Sequence, residues 1–245
     1  MSGAPASLAG QWIVPVIVID EASRARDLAE ALVAGGIGCG EFTLRTPAAL
    51  AALKAAAGVP GFVAGVGTVV SPGQLAAAVG AGARFAVTPG FDDEVVTAAQ
   101  AQGLDIVPGI ATPTELGRAL RAGIDHVKVF PAGVLGGTAY LDALAGPFPG
   151  ARFLPSGGVS QGNAGEYLAH PSVFAVSGGW VVPRDAIAAG DFARIEGLAR
   201  AAVLAAGGVV AGGAAAAGGS AVPSASASAA SAGSAVPAAG GVVRA

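Results

Sequence analysis

The sequence predicts an α/β protein with a (β/α)8 TIM barrel and a disordered C-terminal tail. Short apolar, β-branched segments alternate eight times with Ala- and Leu-rich segments of helical character. The chain of 245 residues is long enough for one such domain. A doubly wound open sheet is the alternative. It would usually show a glycine-rich turn after the first strand, and Val18-Ile19-Asp20-Glu21 is not one.

Each strand and helix of the predicted barrel follows from this alternation. The predicted strands are Trp12–Ile19, Ile37–Leu44, Phe62–Val66, Phe85–Val87, Asp105–Pro108, His126–Phe130, Arg152–Leu154 and Val173–Val176. The predicted helices are Ala22–Val33, Ala48–Ala57, Pro72–Val79, Asp93–Gln102, Thr114–Arg121, Thr138–Leu144, Asn163–Leu168 and Asp191–Ala205. Thr46 and Ser71, each followed by proline, are predicted helix N-caps, as is Asp191 before the last helix.

The composition changes near the end of the predicted barrel. Residues 1–206 form the predicted barrel domain, and residues 207–245 consist almost entirely of Ala, Gly, Ser, Val and Pro. Glycine and proline recur there too often for a helix, and large side chains that could form a core are missing, so the tail is predicted to be disordered. The uncharged run at residues 201–219 contains one leucine and no Ile or Phe, so no membrane association is predicted.

Composition and charge exclude several classes of function. The net charge is −3 and no basic block is present, so no nucleic-acid partner is predicted. The single Cys39 excludes an internal disulfide framework and a cysteine metal site, and the presence of only two histidines argues against a His-rich centre, so no metal is predicted. Met1 to Gly10 lacks the basic residue of a signal peptide. These observations predict a cytoplasmic enzyme or binding protein.

Lys128 is the most informative residue, because it lies between two valines of a predicted strand. Burying an ammonium is unfavourable unless it is paired or has lost its proton, and a neutral interior amine is a good nucleophile toward carbonyls. The alternative is a lysine at a strand end with its amine in water. His126, Lys128 and Phe130 share a strand face, and His126, one layer deeper, is interpreted as an interior histidine.

Other candidate site residues lie at the carboxyl ends of the predicted strands, where barrel active sites form. Glu41, Thr43 and Arg45 share a face of the second strand, which suits a polar pocket or, alternatively, an internal Glu–Arg ion pair. Thr68 offers a hydroxyl after the third strand. The pairs Gly157-Gly158 and Gly178-Gly179 end the last two strands and fit phosphate-binding loops, because glycine lets the backbone approach an anion.

Taken in order, these segments resemble the 2-keto-3-deoxy-6-phosphogluconate (KDPG) and 2-keto-4-hydroxyglutarate (KHG) aldolase family. The resemblance spans about Trp12 to Ala205. The matching motifs are Val14-Pro15-Val16-Ile17, Glu41-Phe42-Thr43-Leu44-Arg45-Thr46, Gly65-Val66-Gly67-Thr68-Val69, Thr88-Pro89-Gly90, Pro108-Gly109-Ile110-Ala111-Thr112, Lys128-Val129-Phe130-Pro131-Ala132, Gly146-Pro147-Phe148, Pro155-Ser156-Gly157-Gly158-Val159 and Gly178-Gly179-Trp180-Val181-Val182-Pro183.

The resemblance implies a role for each matching residue. Lys128 falls on the family's Schiff-base lysine and Glu41 on its general acid/base. The positions implied for substrate binding are Arg45 and Thr68 for the pyruvate carboxylate, Pro89 and Phe130 for the pocket wall, and Ser156, Gly157, Gly158, Gly178 and Gly179 for the phosphate end. The chain departs from the family at Gly179, where many members have serine, and at Gly133-Val134-Leu135, where a polar stretch is common.

The function implied by the resemblance is that of a class I aldolase of the Entner–Doudoroff pathway. Such an enzyme cleaves KDPG to pyruvate and glyceraldehyde 3-phosphate without a cofactor, and the family is commonly homotrimeric. The nearest alternatives are KHG aldolase and 2-keto-3-deoxy-6-phosphogalactonate aldolase. A phosphosugar isomerase or phosphate-binding synthase on the same barrel is the alternative of another class, and a non-catalytic barrel is the last.

Overall fold

The computed structural model describes residues 4–217, and the side chains of residues 4–208. Parallel strands alternate with helices along this part of the chain. The strands are β1 Ile13–Ile17, β2 Cys39–Thr43, β3 Val63–Gly67, β4 Phe85–Val87, β5 Asp105–Val107, β6 Gly109–Ile110, β7 His126–Val129, β8 Arg152–Pro155 and β9 Val176–Gly178. The helices are α1 Ala25–Ala34, α2 Ala49–Ala56, α3 Pro72–Gly80, α4 Asp93–Ala101, α5 Pro113–Arg121, α6 Ala132–Leu135, α7 Thr138–Ala145, α8 Ala164–Ala169, α9 Arg184–Ala189 and α10 Phe192–Ala217.

The strands close into a ring, which confirms the predicted barrel. One run of paired strands has the order β5-β4-β3-β2-β1-β9, and a second has the order β6-β7-β8. Pro108 separates β5 from β6 because it has no N–H for the ladder, so these two segments are parts of one barrel strand. A bridge between Ser156 and Ser177 joins β8 to β9. Within residues 4–217, nine segments, two of them parts of one strand, therefore make eight barrel strands.

Two apolar clusters form the core. The larger one lies between the strands and the surrounding helices. The smaller one contains residues of alternate strand positions but none of an α-helix, and it fills the ring from inside. Leu8, in a short 3-10 helix at Ala6–Leu8, belongs to this inner cluster and covers the amino-terminal end of the barrel. The backbone N–H of Ser7 holds the segment in place by donating to Asp105 Oδ2 over 2.8 Å.

Replacing Leu8 tests this cover. Leu8 is fully buried, so we expect Leu8→Ala to lower the free energy of unfolding by about 2–5 kcal/mol, since it removes buried methyl groups and leaves a cavity. Denaturant titration followed by circular dichroism measures the change. Leu204→Ala is the matched control, because Leu204 is exposed. Equal effects of the two substitutions would show that Leu8 does not seal the barrel.

The helix starts are partly as predicted. Ser71 caps α3 by accepting from the N–H of Gln74, and Asp191 Oδ1 accepts from the N–H of Arg194 at the start of α10. The prediction for Thr46 is wrong. Its hydroxyl donates to the carbonyl of Ile19 in the loop after β1, and α2 begins after Ala48 without a side-chain cap.

Several element bounds differ from the prediction. The helices α6 and α9 were not predicted, because each is short and follows a strand end rich in Gly or Pro. The last strand begins at Val176, whereas residues 173–176 were predicted; Val173 makes only an isolated bridge to Phe153. The fifth strand continues past Pro108 as β6.

The last helix, α10, continues to Ala217 and thus beyond the predicted domain boundary at residue 206. Alanine has the highest helix propensity and no proline occurs between Phe192 and Pro223, so this Ala-rich stretch tolerates its glycines. The disorder predicted for residues 218–245 lies outside the described residues. Within residues 4–217, no helix combines the length and the hydropathy needed to span a bilayer.

Candidate active site

Lys128 and Glu41 meet inside the barrel. They come from β7 and β2, on opposite sides of the ring, and Lys128 Nζ lies 3.4 Å from Glu41 Oε1. Lys128 is only 7% exposed and Glu41 only 1%. The Lys128 amine therefore does not extend into water, which was the alternative for this residue. The predicted alternative of an internal Glu41–Arg45 ion pair is also wrong, because Glu41 pairs with Lys128.

Glu41 is a buried carboxyl group with one oxygen facing Lys128 and one oxygen without a hydrogen-bond partner among the described residues. Burial raises the pKa of Glu41 above its ordinary value of 4.5, and the positive charge of Lys128 partly opposes this shift. Oε1 faces Lys128, but Oε2 has no hydrogen-bond partner among the described residues although it is buried. A buried carboxylate oxygen without a partner is unfavourable unless water or a ligand satisfies it. The arrangement leaves Oε2 available to a bound molecule.

Gly67, at the end of β3, leaves room for the Glu41 side chain. A Cβ atom at this position would lie 3.0 Å from Thr43 Cγ2 and 3.1 Å from Glu41 Cδ. Both distances are too short for ordinary packing, so a side chain at residue 67 would displace the carboxylate.

The substitution Gly67→Ala should therefore reduce activity without unfolding the protein. We expect kcat/KM to fall by about tenfold to a hundredfold, because small displacements of reacting groups have effects of this size. Steady-state kinetics measures it. Gly73→Ala on α3 is the control, since a Cβ there meets no atom within 4 Å. Full activity of the Gly67 variant would mean that Glu41 does not need this space.

Arg45 and Thr68 lie beyond the ends of their strands. β2 ends at Thr43, whose hydroxyl donates to the carbonyl of Ile17. Thr43 therefore links β2 to β1 in the barrel wall. Arg45 is exposed, and its guanidinium pairs with no described carboxylate. Thr68 has a positive φ of 61°, a conformation that costs a β-branched residue about 1–3 kcal/mol. Such strain is typical of functional loops, which agrees with the predicted position of Thr68 at the mouth.

Phe130 forms a wall beside the lysine. Its ring centroid lies 5.4 Å from Lys128 Nζ, and the side chain is 39% exposed. Pro89 is exposed after β4 and belongs to a turn that Thr88 fixes. The Thr88 hydroxyl donates to Gly90 O over 2.6 Å and accepts from the N–H of Gly109 over 3.0 Å. Both residues thus belong to the carboxyl-terminal end of the barrel.

The loop after β8 has the backbone that its glycines predict. Gly157 and Gly158 have φ values of 81° and 87°, which other residues rarely adopt. A Cβ at Gly157 would also lie 3.1 Å from the Phe130 ring. Asn163 stabilises the loop, donating from Nδ2 to Gly158 O over 2.9 Å. Gly178 ends β9 in a buried position, and Gly179 follows it at the surface.

His126 lies deeper in the barrel, as predicted. Its Nδ1 lies 2.6 Å from Asp125 Oδ1, and its ring packs edge-on against Phe174 at 5.0 Å. These contacts agree with an interior histidine whose polar atom is paired. Among the described residues, no three or more His, Cys, Asp and Glu side chains are grouped so that they could hold a metal ion.

Sequence reasoning assigned no role in the site to two residues of this region. The space at Gly67 depends on packing between neighbouring strands, which a linear motif does not reveal. Ser177 precedes the Gly178-Gly179 pair and is fully buried inside the barrel. The alternation along β9 was the available signal for Ser177, but the predicted strand ended at Val176, two residues before the end of β9.

Known proteins resemble this chain over most of its length. The family model described as "KDPG and KHG aldolase" matches residues 6–198. The KHG/KDPG aldolase of Escherichia coli strain K12 is 46% identical over 192 residues, which are 78% of this chain and 90% of the relative. The 2-dehydro-3-deoxy-phosphogluconate aldolase of Treponema pallidum is 45% identical over 192 residues, 77% of this chain and 90% of that protein.

A solved structure shows the same fold. The KDPG aldolase of Legionella pneumophila has a TM-score of 0.78 and 43% sequence identity, covering 80% of this chain and 96% of that one. Its crystal structure contains pyruvate captured as a covalent carbinolamine intermediate. The KDPG aldolase of Zymomonas mobilis, with 3-phosphoglycerate, has a TM-score of 0.74 and 42% identity, covering 78% of this chain and 90% of that one.

Proposed function

The chain belongs to the KDPG and KHG aldolase family, and we propose that it is a class I aldolase that cleaves KDPG to pyruvate and glyceraldehyde 3-phosphate. The observation that carries this proposal is the buried contact of Lys128 Nζ with Glu41 Oε1 inside the barrel. A buried amine beside a buried carboxylate supplies both the nucleophile and the proton carrier that Schiff-base chemistry needs.

The reaction begins with attack of the neutral Lys128 amine on the C2 ketone of the substrate. The resulting carbinolamine loses water and becomes an iminium. Glu41 accepts the proton of the C4 hydroxyl, the C3–C4 bond breaks, and its electron pair moves to the iminium nitrogen. The aldehyde product leaves an enamine of pyruvate on Lys128. Protonation of C3 and addition of water then release pyruvate and the free amine.

The remaining predicted residues would hold the two charged ends of the substrate. Arg45 and Thr68 are proposed to bind the carboxylate, because Arg45 has no carboxylate partner among the described residues and Thr68 is held at the mouth by a strained backbone. Pro89 and Phe130 would line the carbon chain. The phosphate would lie on the loops after β8 and β9, where the remaining predicted positions are Ser156, Gly157, Gly158, Gly178 and Gly179.

KHG is the second substrate that we propose to test, since the Escherichia coli relative is named for both substrates. The isomerase or synthase alternative is not favoured, because the family model and the relatives described above are aldolases. Relative rates of cleavage of KDPG, KHG and the galactonate-derived phosphosugar acid would rank the substrates.

We further propose that the enzyme acts in the cytoplasm, in the Entner–Doudoroff pathway, and that it is a homotrimer. Val70 and Val134 are exposed apolar side chains in the segments after β3 and β7, and contact with a partner subunit would cover them. Light scattering after gel filtration measures the mass. A monomer at micromolar concentration would contradict the trimer.

Trapping with borohydride tests the proposed function directly. Incubation with pyruvate and sodium borohydride should reduce the iminium to a stable amine, and intact mass followed by peptide mapping should locate one pyruvyl adduct on Lys128. Lys54 is the only other lysine of the chain and serves as the internal control. A folded protein without an adduct on Lys128 would contradict the Schiff-base mechanism.

A further inference from the structure

Ser177 is a fully buried serine on the last barrel strand, and its hydroxyl has no hydrogen-bond partner among the described residues. Buried hydroxyl groups nearly always have a partner, and an exception in a native fold requires an explanation. Its exposure, 0%, is close to that of Glu41, 1%. Ser177 is therefore buried as deeply as Glu41, which is proposed to carry part of the chemistry.

The Ser177 side chain faces the inside of the barrel. Along β9, Val176 packs in the outer cluster between strands and helices. Ala175, immediately before the strand, packs in the inner cluster. Since side chains alternate along a strand, Ser177 points to the same side as Ala175, toward the barrel axis.

The strand register places Ser177 level with Glu41. Barrel strands tilt against the barrel axis. The residue at the same height along this axis on the preceding strand therefore lies one position before the residue that is paired with it in the strand register. Val16 is the partner of Glu41, and Pro15 is therefore level with Glu41. Gly178 is the partner of Pro15, and Ser177 is therefore level with both.

The same comparison of strand registers, taken from β7 through β8 to β9, places Ser177 at the same height as Lys128. On each following strand, the level residue lies one position after the register partner. Leu154 is the partner of Lys128, so Pro155 is level with the lysine. Ser156 pairs with Ser177, so Pro155 lies opposite Val176 in the register. The residue one position later, Ser177, is therefore at the same height as Pro155 and Lys128. Both directions around the ring lead to the same serine.

Four inward-facing side chains from alternate strands thus form one layer: Glu41, Val87, Lys128 and Ser177. Glu41 and Lys128 join across the axis, with Val87 on one side of the pair and Ser177 on the other. The layer therefore holds one unpaired donor, the Ser177 hydroxyl, and one unpaired acceptor, Glu41 Oε2. A single ligand hydroxyl beside the lysine could satisfy both.

We propose that Ser177 contacts the substrate and donates a hydrogen bond to its C4 oxygen while Glu41 takes the proton of that oxygen. This assignment rests on the proposed function. The C4 hydroxyl gives its proton to the Glu41 carboxylate, the C3–C4 bond breaks toward the iminium, and a C4 carbonyl forms. Ser177 keeps its own proton throughout. In the reverse reaction the aldehyde oxygen gains negative charge, which the Ser177 hydroxyl stabilises.

The variant Ser177→Ala separates this role from a structural one. Pyruvate has no C4, so adduct formation with borohydride and exchange of its methyl protons with deuterium need Lys128 and Glu41 but not Ser177. We expect kcat/KM for cleavage to fall about tenfold to a hundredfold, while both pyruvate reactions stay within about twofold of the wild type. Loss of a hydroxyl that lacks a partner should also leave the melting temperature unchanged or raised.

Ser172→Ala is the matched control, because Ser172 is a buried serine ahead of β9, at the amino-terminal end of the barrel. We expect it to keep the wild-type cleavage rate. Unchanged cleavage by Ser177→Ala, or an equal loss of cleavage and proton exchange, would overturn the assignment. A wild-type protein that forms no pyruvate adduct would instead contradict the proposed function itself.

Discussion

Lys128→Arg should abolish cleavage, and it is the substitution with the largest expected effect. Arginine keeps the positive charge and much of the length, so it can still pair with Glu41, but a guanidinium cannot form the iminium. We expect kcat to fall by at least about 10⁴-fold, since the covalent route is lost entirely. A coupled assay of pyruvate release measures the rate, and mass spectrometry after borohydride measures the missing adduct.

The chain supplies an unusually clean control for this experiment, because Lys54 and Lys128 are its only lysines. Lys54 is exposed on α2, so Lys54→Arg should keep both the rate and the adduct. Far-ultraviolet circular dichroism would verify that both variants are folded. Normal cleavage by Lys128→Arg would mean that the nucleophile is another group or that the reaction does not pass through a Schiff base.

Glu41→Gln should slow both cleavage and proton exchange. Glutamine has nearly the same shape but cannot accept a proton, so we expect kcat to fall by about 10²–10⁴-fold. The pyruvate adduct on Lys128 should still form, although more slowly. Glu94→Gln on α4 is the control, since Glu94 is exposed and far from the barrel axis. An unchanged rate for Glu41→Gln would assign proton transfer to water or another side chain.

The pH dependence of the wild type gives a second measurement of the same residue. Burial raises the pKa of Glu41 above 4.5, and in the proposed mechanism the carboxylate is the form that accepts the C4 proton. Activity should therefore be lost as the pH falls through this raised pKa, at a higher pH than for an ordinary carboxylate. Glu41→Gln should lack this acidic limb. A wild-type profile that stays flat down to pH 4.5 would contradict the base role of Glu41.

The barrel and the pairing partner of Lys128 differ in how far the sequence predicts them. Alternating apolar and Ala-rich segments indicate strands and helices locally, and both Lys128 and Glu41 stand out as polar residues inside such strands. Their mutual contact depends on two strands on opposite sides of the ring. Periodicity along β2 left an ion pair of Glu41 with Arg45 open as an alternative, because it did not reveal that the strand ends at Thr43.

The predictions for Thr46, Pro108 and Ser177 that differ from the structure share one physical cause. Thr46 has the local sequence of an N-cap, but the carbonyl of Ile19, distant in sequence, takes its hydroxyl. Pro108 ends a strand by local rules, yet Gly109 and Ile110 resume the ladder because β7 pairs with them. Ser177 belongs to the layer of Lys128 only through the tilt and register of the whole ring. Tertiary pairing decides each case, and a single segment does not contain it.

The pairing of β1 with both β2 and β9 has a consequence for how the protein is made. During synthesis, β1 leaves the ribosome early, but the backbone groups on its second edge are paired only after β9 has been made. A nascent chain that ends before β9 exposes the backbone groups of β1 and β8, which can pair with other chains. Protection from aggregation should therefore be acquired late in translation, when the last strand closes the seam.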